Sequence, residues 1–257
     1  MIVMHNPKPE IRNPKWLVGV MAALACAAVA GCSRLDVING RLNAIGDAQA
    51  RTLVRDTLWA EGSKYRWADH GSIRAEVTWT EHRPLGDIAS DEVWHLDLWS
   101  GQVRVDRPGA VVADPDDLAA RALAAGRARI VRELLPMPLS LTYPGQEVSY
   151  VGTRTGVGEA RTWQRLLVAY QAAGRAKDDR MVVEILQAAR RVDAALIRWS
   201  EFPFVGRLMR VEMDQWRPVQ EISISRRWRF TPVDDKGAAL GPARYTVLLK
   251  HVEFDKP

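Results

Sequence analysis

The sequence predicts an α+β fold. Its centre is one large curved antiparallel β-sheet, an incomplete barrel of about ten strands, covered by a few helices. Three observations predict this. Apolar and polar residues alternate at period two over many separate stretches, as half-buried strands require. Only two long stretches keep helical spacing. Turn residues separate most of the strand stretches, so successive strands run antiparallel in meander order. A sheet of this size curls, and its apolar face must be covered by helices or close around something.

The chain begins with a leader. Lys8, Arg12 and Lys15 stand against Glu10, giving +2 of the chain's formal +5. An apolar run from Trp16 to Ala30 follows, shorter than the roughly 20 residues of a spanning helix. It ends in Val29-Ala30-Gly31-Cys32. This tetrapeptide resembles the lipobox of bacterial lipoproteins. The resemblance implies cleavage before Cys32 and acylation of its thiol, with palmitate among the chains. It also implies attachment to the membrane through the N-terminal lipid, since two or three acyl chains anchor stably where one is marginal. The expected division is therefore a signal peptide at 1–31 and a single domain at 32–257 that faces the periplasm behind a short tether. Ser33, where inner-membrane lipoproteins of enterobacteria carry Asp, implies placement in the outer membrane.

A helix is expected over Asp36–Glu61, with Leu42, Ile45, Leu53, Val54, Thr57 and Leu58 at helical spacing and Gly62-Ser63 ending it. Strands are expected at Ser72–Thr80, Glu92–Ser100 and Gln102–Pro108, the last two forming a hairpin through Ser100-Gly101. A second helix follows, with Asp114 as cap, Pro115 in the first turn, and Asp116 and Asp117 favouring the dipole. Its stripe is Leu118, Ala122, Leu123, Ile130, Val131, Leu134 and Leu135. Gly126 weakens it midway, and Pro136 and Pro138 end it. Further strands are expected at Gln146–Arg154, Thr162–Gln171, Arg180–Gln187, Ala194–Ser200, Arg207–Trp216, Val219–Phe230 and Ala243–Phe254. Thr162–Gln171 also fits a helix.

At this point the layout resembles the LolA/LolB type of lipoprotein carrier. The stretches that carry the likeness are the helix from Asp36, RAEVTW, EVWHLDLWSGQVRVDRPG, the helix before LLPMP, RLMRVEMDQWRPVQEISISRRWRF and YTVLLKHVEF. That group has a curved incomplete barrel, plugged by helices, with an apolar interior for acyl chains. The resemblance implies a lipid or lipoprotein cargo.

Composition narrows the function classes. The 257-residue chain has only two cysteines, Cys26 in the leader and Cys32. After cleavage and acylation no free thiol remains for a nucleophile, a zinc site or a disulfide. The charges are mixed along the chain, without the clustered Lys/Arg of a nucleic-acid surface. No Gly-x-Ser-x-Gly elbow or His-Glu-x-x-His pair occurs. Asp97 and Asp106, on neighbouring expected strands, form a carboxylate pair of glycosidase type only if they meet; otherwise they are surface charge, as His95 is. No catalytic residue, metal site or cofactor is expected.

Ten tryptophans are the compositional peculiarity, nine of them after the leader. They either pack a core or line an apolar cavity. In the cavity reading, Trp79, Trp94, Leu96, Leu98, Val103, Val105, Ile222, Ile224 and Trp228 line the concave face of the sheet and bind an apolar ligand. In the other reading, the protein's own helices fill that face, and the protein acts structurally or through an envelope protein partner. Two apolar segments bear on the choice. Ser200–Gly206 either tucks under the sheet or projects to a membrane or partner. Leu134–Leu139 is a cap or the lid of a cavity.

Overall fold

A computed structural model describes residues 34–108, 117–156, 160–171, 179–201 and 203–255. Cys32, the expected leader and the expected cap residues 114–116 lie outside these. Helix α1 spans 34–44, α2 Ala48–Ala60 and α3 Ser63–Ala68. Strands β1 (Ser72–Glu81), β2 (Ile88–Asp97) and β3 (Val103–Asp106) precede α4 (Leu118–Leu134) and a 3-10 turn at Leu139–Thr142. Then come β4 (Gln146–Thr155), β5 (Thr162–Tyr170), β6 (Arg180–Leu186), β7 (Arg191–Arg198) and β8 (Leu208–Asp214). The chain ends with β9 (Arg217–Val219), β10 (Ile222–Ile224), β11 (Arg227–Pro232) and β12 (Tyr245–Asp255).

Ten strands form one antiparallel sheet in the order β3-β2-β1-β12-β11-β8-β7-β6-β5-β4. The sheet is curved and not closed. Register shifts at Glu76/Val77, Tyr150/Thr153 and Glu184/Ile185 bend it, because an unpaired extra residue tightens the local twist. The pairing of β1 with β12 brings the two ends of the domain together at mid-sheet. The edges β3 and β4 are neighbours in sequence, so the segment carrying α4 must cross the open side of the barrel.

The expected helix at Asp36–Glu61 is two helices. Residues 45–47 interrupt it, and Asp47 caps α2, its Oδ1 accepting from Gln49 N at 2.8 Å and Ala50 N at 3.0 Å. Its Oδ2 accepts from Tyr150 N on the edge strand at 2.9 Å. These N–H donors, Ala50 foremost, hold the carboxyl below the usual range. One side chain thus starts a helix and covers part of an open sheet edge. Glu61, just past α2, accepts from Val192 N on β7 at 2.9 Å. At Gly62 (φ 136°) a Cβ would lie 2.8 Å from Glu221 O, so only glycine fits there. The short α3 was not anticipated.

The expected strand Val219–Phe230 is also divided. Gln220 and Glu221 both have positive φ, 47° and 69°, the geometry of a tight hairpin turn. Ile222 and Ile224 therefore belong to the separate β9–β10 hairpin, and β11 starts afresh at Arg227. Thr162–Gln171 resolves as a strand. Helix α4 runs unbroken through the buried Gly126, capped by Asp117, which accepts from Ala119 N and Ala120 N. Leu118, expected on its buried stripe, is 75% exposed. The first turn lies beyond the sheet, and burial begins at Gly126.

Candidate functional site

Alternation along β1, β2 and β11 directs one apolar side chain in two into the concave interior. There the aromatic rings meet. Trp94 and Trp228 are 5.8 Å apart between centroids, Trp79 is 5.4 Å from Tyr245 and 5.7 Å from Phe230, and Phe204 stacks on Phe230 at 5.5 Å. Trp79, Trp94, Leu96, Leu98, Ile222, Ile224 and Trp228 are at most 2% exposed and share one core cluster, against which Val103 and Val105 pack half-buried. The nine expected residues are thus brought together, seven on the sheet side and two on the β9–β10 hairpin. The protein's own helices and side chains occupy the space in front of them. Leu134, Leu135, Met137 and Leu139 are buried in the same cluster, so that segment caps the interior. The Ser200–Gly206 loop turns Phe204 inward and leaves Val205 64% exposed.

Helix α4 is fastened across the opening by two buried arginines. The Arg127 guanidinium lies 4.2 Å from the centre of the Trp79 ring and ion-pairs with Glu92. Glu92 faces inward on β2 with its side chain fully buried. It also accepts from Trp94 Nε1 at 2.8 Å and Arg107 Nε at 3.1 Å. Burial pushes the Arg127 pKa down to about 10, against the pull of the Glu92 charge. At the opposite wall Arg129 sits between the rings of Trp199 (4.4 Å) and Tyr170 (4.7 Å). It ion-pairs with Asp179 at 2.5 Å and with Glu201. Asp179 is itself fixed by Ser200 N at 2.7 Å. Both arginines therefore combine a carboxylate with an aromatic face, while Arg127 Nε and Arg129 Nε and Nη2 are buried without a hydrogen bond among the described residues.

An open cleft lies at the rim, between the β1–β2 turn and the β11–β12 loop. Its volume is about 1090 Å³. Pro84, Leu85, Ile88, Pro232, Leu240 and Pro242 give it an apolar lining; Glu81, His82, Arg83 and Arg244 give it a polar fringe. Leu85 is wholly exposed, Leu240 69% and Ile88 50%. The turn is held rigidly beneath them. His82 N donates to Arg244 O at 2.8 Å, and the His82 ring bridges Asp87 (3.0 Å) and Thr246 (2.8 Å). Arg83, bound to Glu81 at 2.7 Å, keeps that carboxyl below its ordinary pKa. Glu81, which lines the cleft, is the cross-strand partner of Tyr245, whose ring meets Trp79 in the aromatic interior.

Likeness to known proteins appears only among solved structures. No family model matches the chain, and no curated protein does. A LolA superfamily protein from Nitrosomonas europaea is 9% identical, with 81% of this chain and 94% of that one covered and a TM-score of 0.49. A DUF1329 family protein from Desulfovibrio piger is 8% identical, covering 80% and 93%, with a TM-score of 0.45. An outer membrane lipoprotein-sorting protein domain from Vibrio parahaemolyticus is 10% identical, covering 74% and 89%, with a TM-score of 0.41.

The carboxylates considered for catalysis do not meet. Asp106 pairs across the ladder with Val93, four residues from Asp97 on β2, a distance of about 13 Å along a strand. Asp97 instead accepts from Trp99 N and Ser100 N in the hairpin turn, and Asp106 binds Arg104 and His95. The residues that fasten α4 escaped the sequence reading, although a signal was present. Glu92 has the same strand parity as Trp94, Leu96 and Leu98. Arg127 stands three residues before Ile130 and seven before Leu134, on the apolar stripe of its helix. A charge repeated into an apolar face must find a partner there. Among the described residues, no helix is long and apolar enough to cross a membrane.

Proposed function

We propose that this is a lipid-anchored protein of the cell envelope that binds an apolar ligand, an acyl chain or a lipoprotein's acyl group, and is not an enzyme. The observation that carries the reading is the open apolar cleft with the wholly exposed Leu85, adjoining a Trp-rich interior. Large exposed apolar side chains gathered at one rim mark a contact for lipid or partner, and the volume is that of a ligand pocket. The chain's tail enters at Leu85, Ile88 and Leu240. It reaches the concave residues Trp79, Trp94, Leu96, Leu98, Val103, Val105 and Trp228 as α4 moves aside. Ile222 and Ile224 close the far side from their hairpin. Cys32 carries the anchor, and the periplasmic face of the outer membrane is the proposed location.

A fluorescent fatty acid tests the ligand. The protein purified from bacterial membranes takes it up, and Leu85→Glu weakens uptake about tenfold or more, since a charge at the entry must be desolvated, while thermal stability stays unchanged. Uptake that is absent in the native chain, or unaltered in the variant, removes the reading. The filled interior favours one alternative, an envelope protein that acts through a protein partner; absent uptake together with a co-purifying protein would support it. The anchor is tested separately. Radiolabelled palmitate enters the native chain and not Cys32→Ala; label retained in the variant refutes acylation at Cys32.

A further inference from the structure

On the convex face, where a solvated sheet normally presents mixed polar residues, five strands contribute aliphatic side chains to one recess of about 340 Å³. Leu167 on β5, Val182 on β6 and Leu196 on β7 are direct cross-strand partners, so they form a continuous apolar row. Val151 on β4 and Leu208 on β8 extend it. Five strands at about 4.8 Å spacing make a trough about 19 Å long.

Cations flank this row on both sides. One flank is the Arg165–Glu184 pair, the other the Arg180–Arg198 pair. Lys236 overhangs from the β11–β12 turn, which is pinned by Asp234 and lies against Leu196; a Cβ at Gly237 would stand 3.8 Å from Leu196 Cδ2. The recess is lined by Arg154, Arg165, Arg180, Arg210 and Lys236 against only Glu184 and Asp235. The two carboxylates are already engaged. Glu184, 1% exposed, holds Arg154 at 3.0 Å and Arg210 at 2.7 Å; Asp235 holds Arg198 at 2.5 Å. Arg165, Arg180 and Lys236 have no ionic partner among the described residues, and Arg165 Nε is buried without a hydrogen bond.

We propose that this recess is a second ligand site, specific for a single-chain anionic amphiphile. The alkyl chain lies along Leu167–Val182–Leu196, and the anionic head pairs with Arg165, Arg180 and Lys236. Neither half of the arrangement suffices alone. A free anion leaves the aliphatic row in water, and a neutral amphiphile leaves the three cations unpaired. The recess is too small for a membrane surface to enter and holds one chain. The site is independent of the rim cleft, since the two share no residue.

The test is calorimetric titration of the purified full chain with dodecyl phosphate below its micelle concentration, beside dodecyl maltoside and inorganic phosphate. With the rim cleft weakened by Leu85→Glu, the expected result is one site for dodecyl phosphate, bound about tenfold or more tightly than either comparator, because charge-assisted hydrogen bonds add to apolar burial. Arg165→Ala with Arg180→Ala removes this preference, and Leu85→Glu at the rim leaves it intact. Circular dichroism confirms that the double variant stays folded. Equal binding of the maltoside, or a preference unaffected by the double variant, overturns the proposal. So does displacement of dodecyl phosphate by a short poly-glutamate peptide at equal concentration, which would make the recess a peptide surface. Loss of the preference on Leu85→Glu would assign the binding to the rim cleft.

Discussion

Exchanging Glu92 for alanine lowers the unfolding free energy by about 3–5 kcal/mol, the usual cost of leaving a buried partner charge uncompensated. Glu92 is the carboxylate at a junction of three donors: Arg127, Arg107 and Trp94 Nε1. Without it Arg127 loses both its bound carboxylate and the charge that raises its pKa against burial, and the guanidinium is left buried against the Trp79 face without that ion pair. The cheapest relief is for α4 to leave the opening. Hydrogen exchange should therefore rise over Leu118–Leu134 before it rises in β1, β12 or β11, which pair at mid-sheet. Glu92→Gln keeps the size and a hydrogen-bond acceptor and should cost less than alanine. Urea unfolding of the two variants checks this, and a loss under about 0.5 kcal/mol for alanine would show that the clamp carries no weight. In the proposed function the same variant takes up the fluorescent fatty acid faster, because α4 is the element that bars the interior.

Trp228→Ala should cost a similar amount, about 3–5 kcal/mol, by a different mechanism. The ring is 1% exposed, faces Trp94 at 5.8 Å and belongs to the central cluster. Its removal leaves a cavity that neighbouring strands cannot collapse into, because ladder hydrogen bonds fix β11 between β8 and β12. An apolar cavity of that kind stays dry and accepts a small apolar guest. Indole added to the variant should therefore raise its melting temperature, and leave the native chain unaffected. A stability loss below about 1 kcal/mol would mean that the interior is loosely packed around this residue. Trp94→Ala combined with Trp228→Ala should be non-additive, since the two rings are in contact.

Much of the fold was legible because a sheet with one buried face writes itself into the chain at period two. The strands at Ser72, Gln146, Thr162 and Arg180 begin where alternation begins. The errors have local causes. Ile222 and Ile224 alternate as well as any strand, yet Gln220 and Glu221 reverse the chain with positive φ, and neither residue type announces such a turn. Asp47 sits inside a helical pattern, and only its position opposite both Ala50 N and Tyr150 N makes it a cap. Of the candidate sites, the inward residues of β1, β2 and β11 were readable from parity, while Ile222 and Ile224 were not placed by it. The rim cleft and the convex recess were not readable, since each joins loops or strands far apart in sequence.

The sequence by itself determined that no cysteine follows Cys32, the number and direction of most strands, and which side chains face inward. Composition and periodicity suffice for these, because each depends on neighbours along the chain. The tertiary structure decided what stands in front of the inward face. It placed the edge strands β3 and β4 on either side of α4, carried that helix across the opening, and set Arg127 and Arg129 against carboxylates 35 and 50 residues away. It also aligned Leu167, Val182 and Leu196 into one row between arginines. Such arrangements follow from strand register and chain reversal, and a single residue of slip would turn each of these side chains to the opposite face.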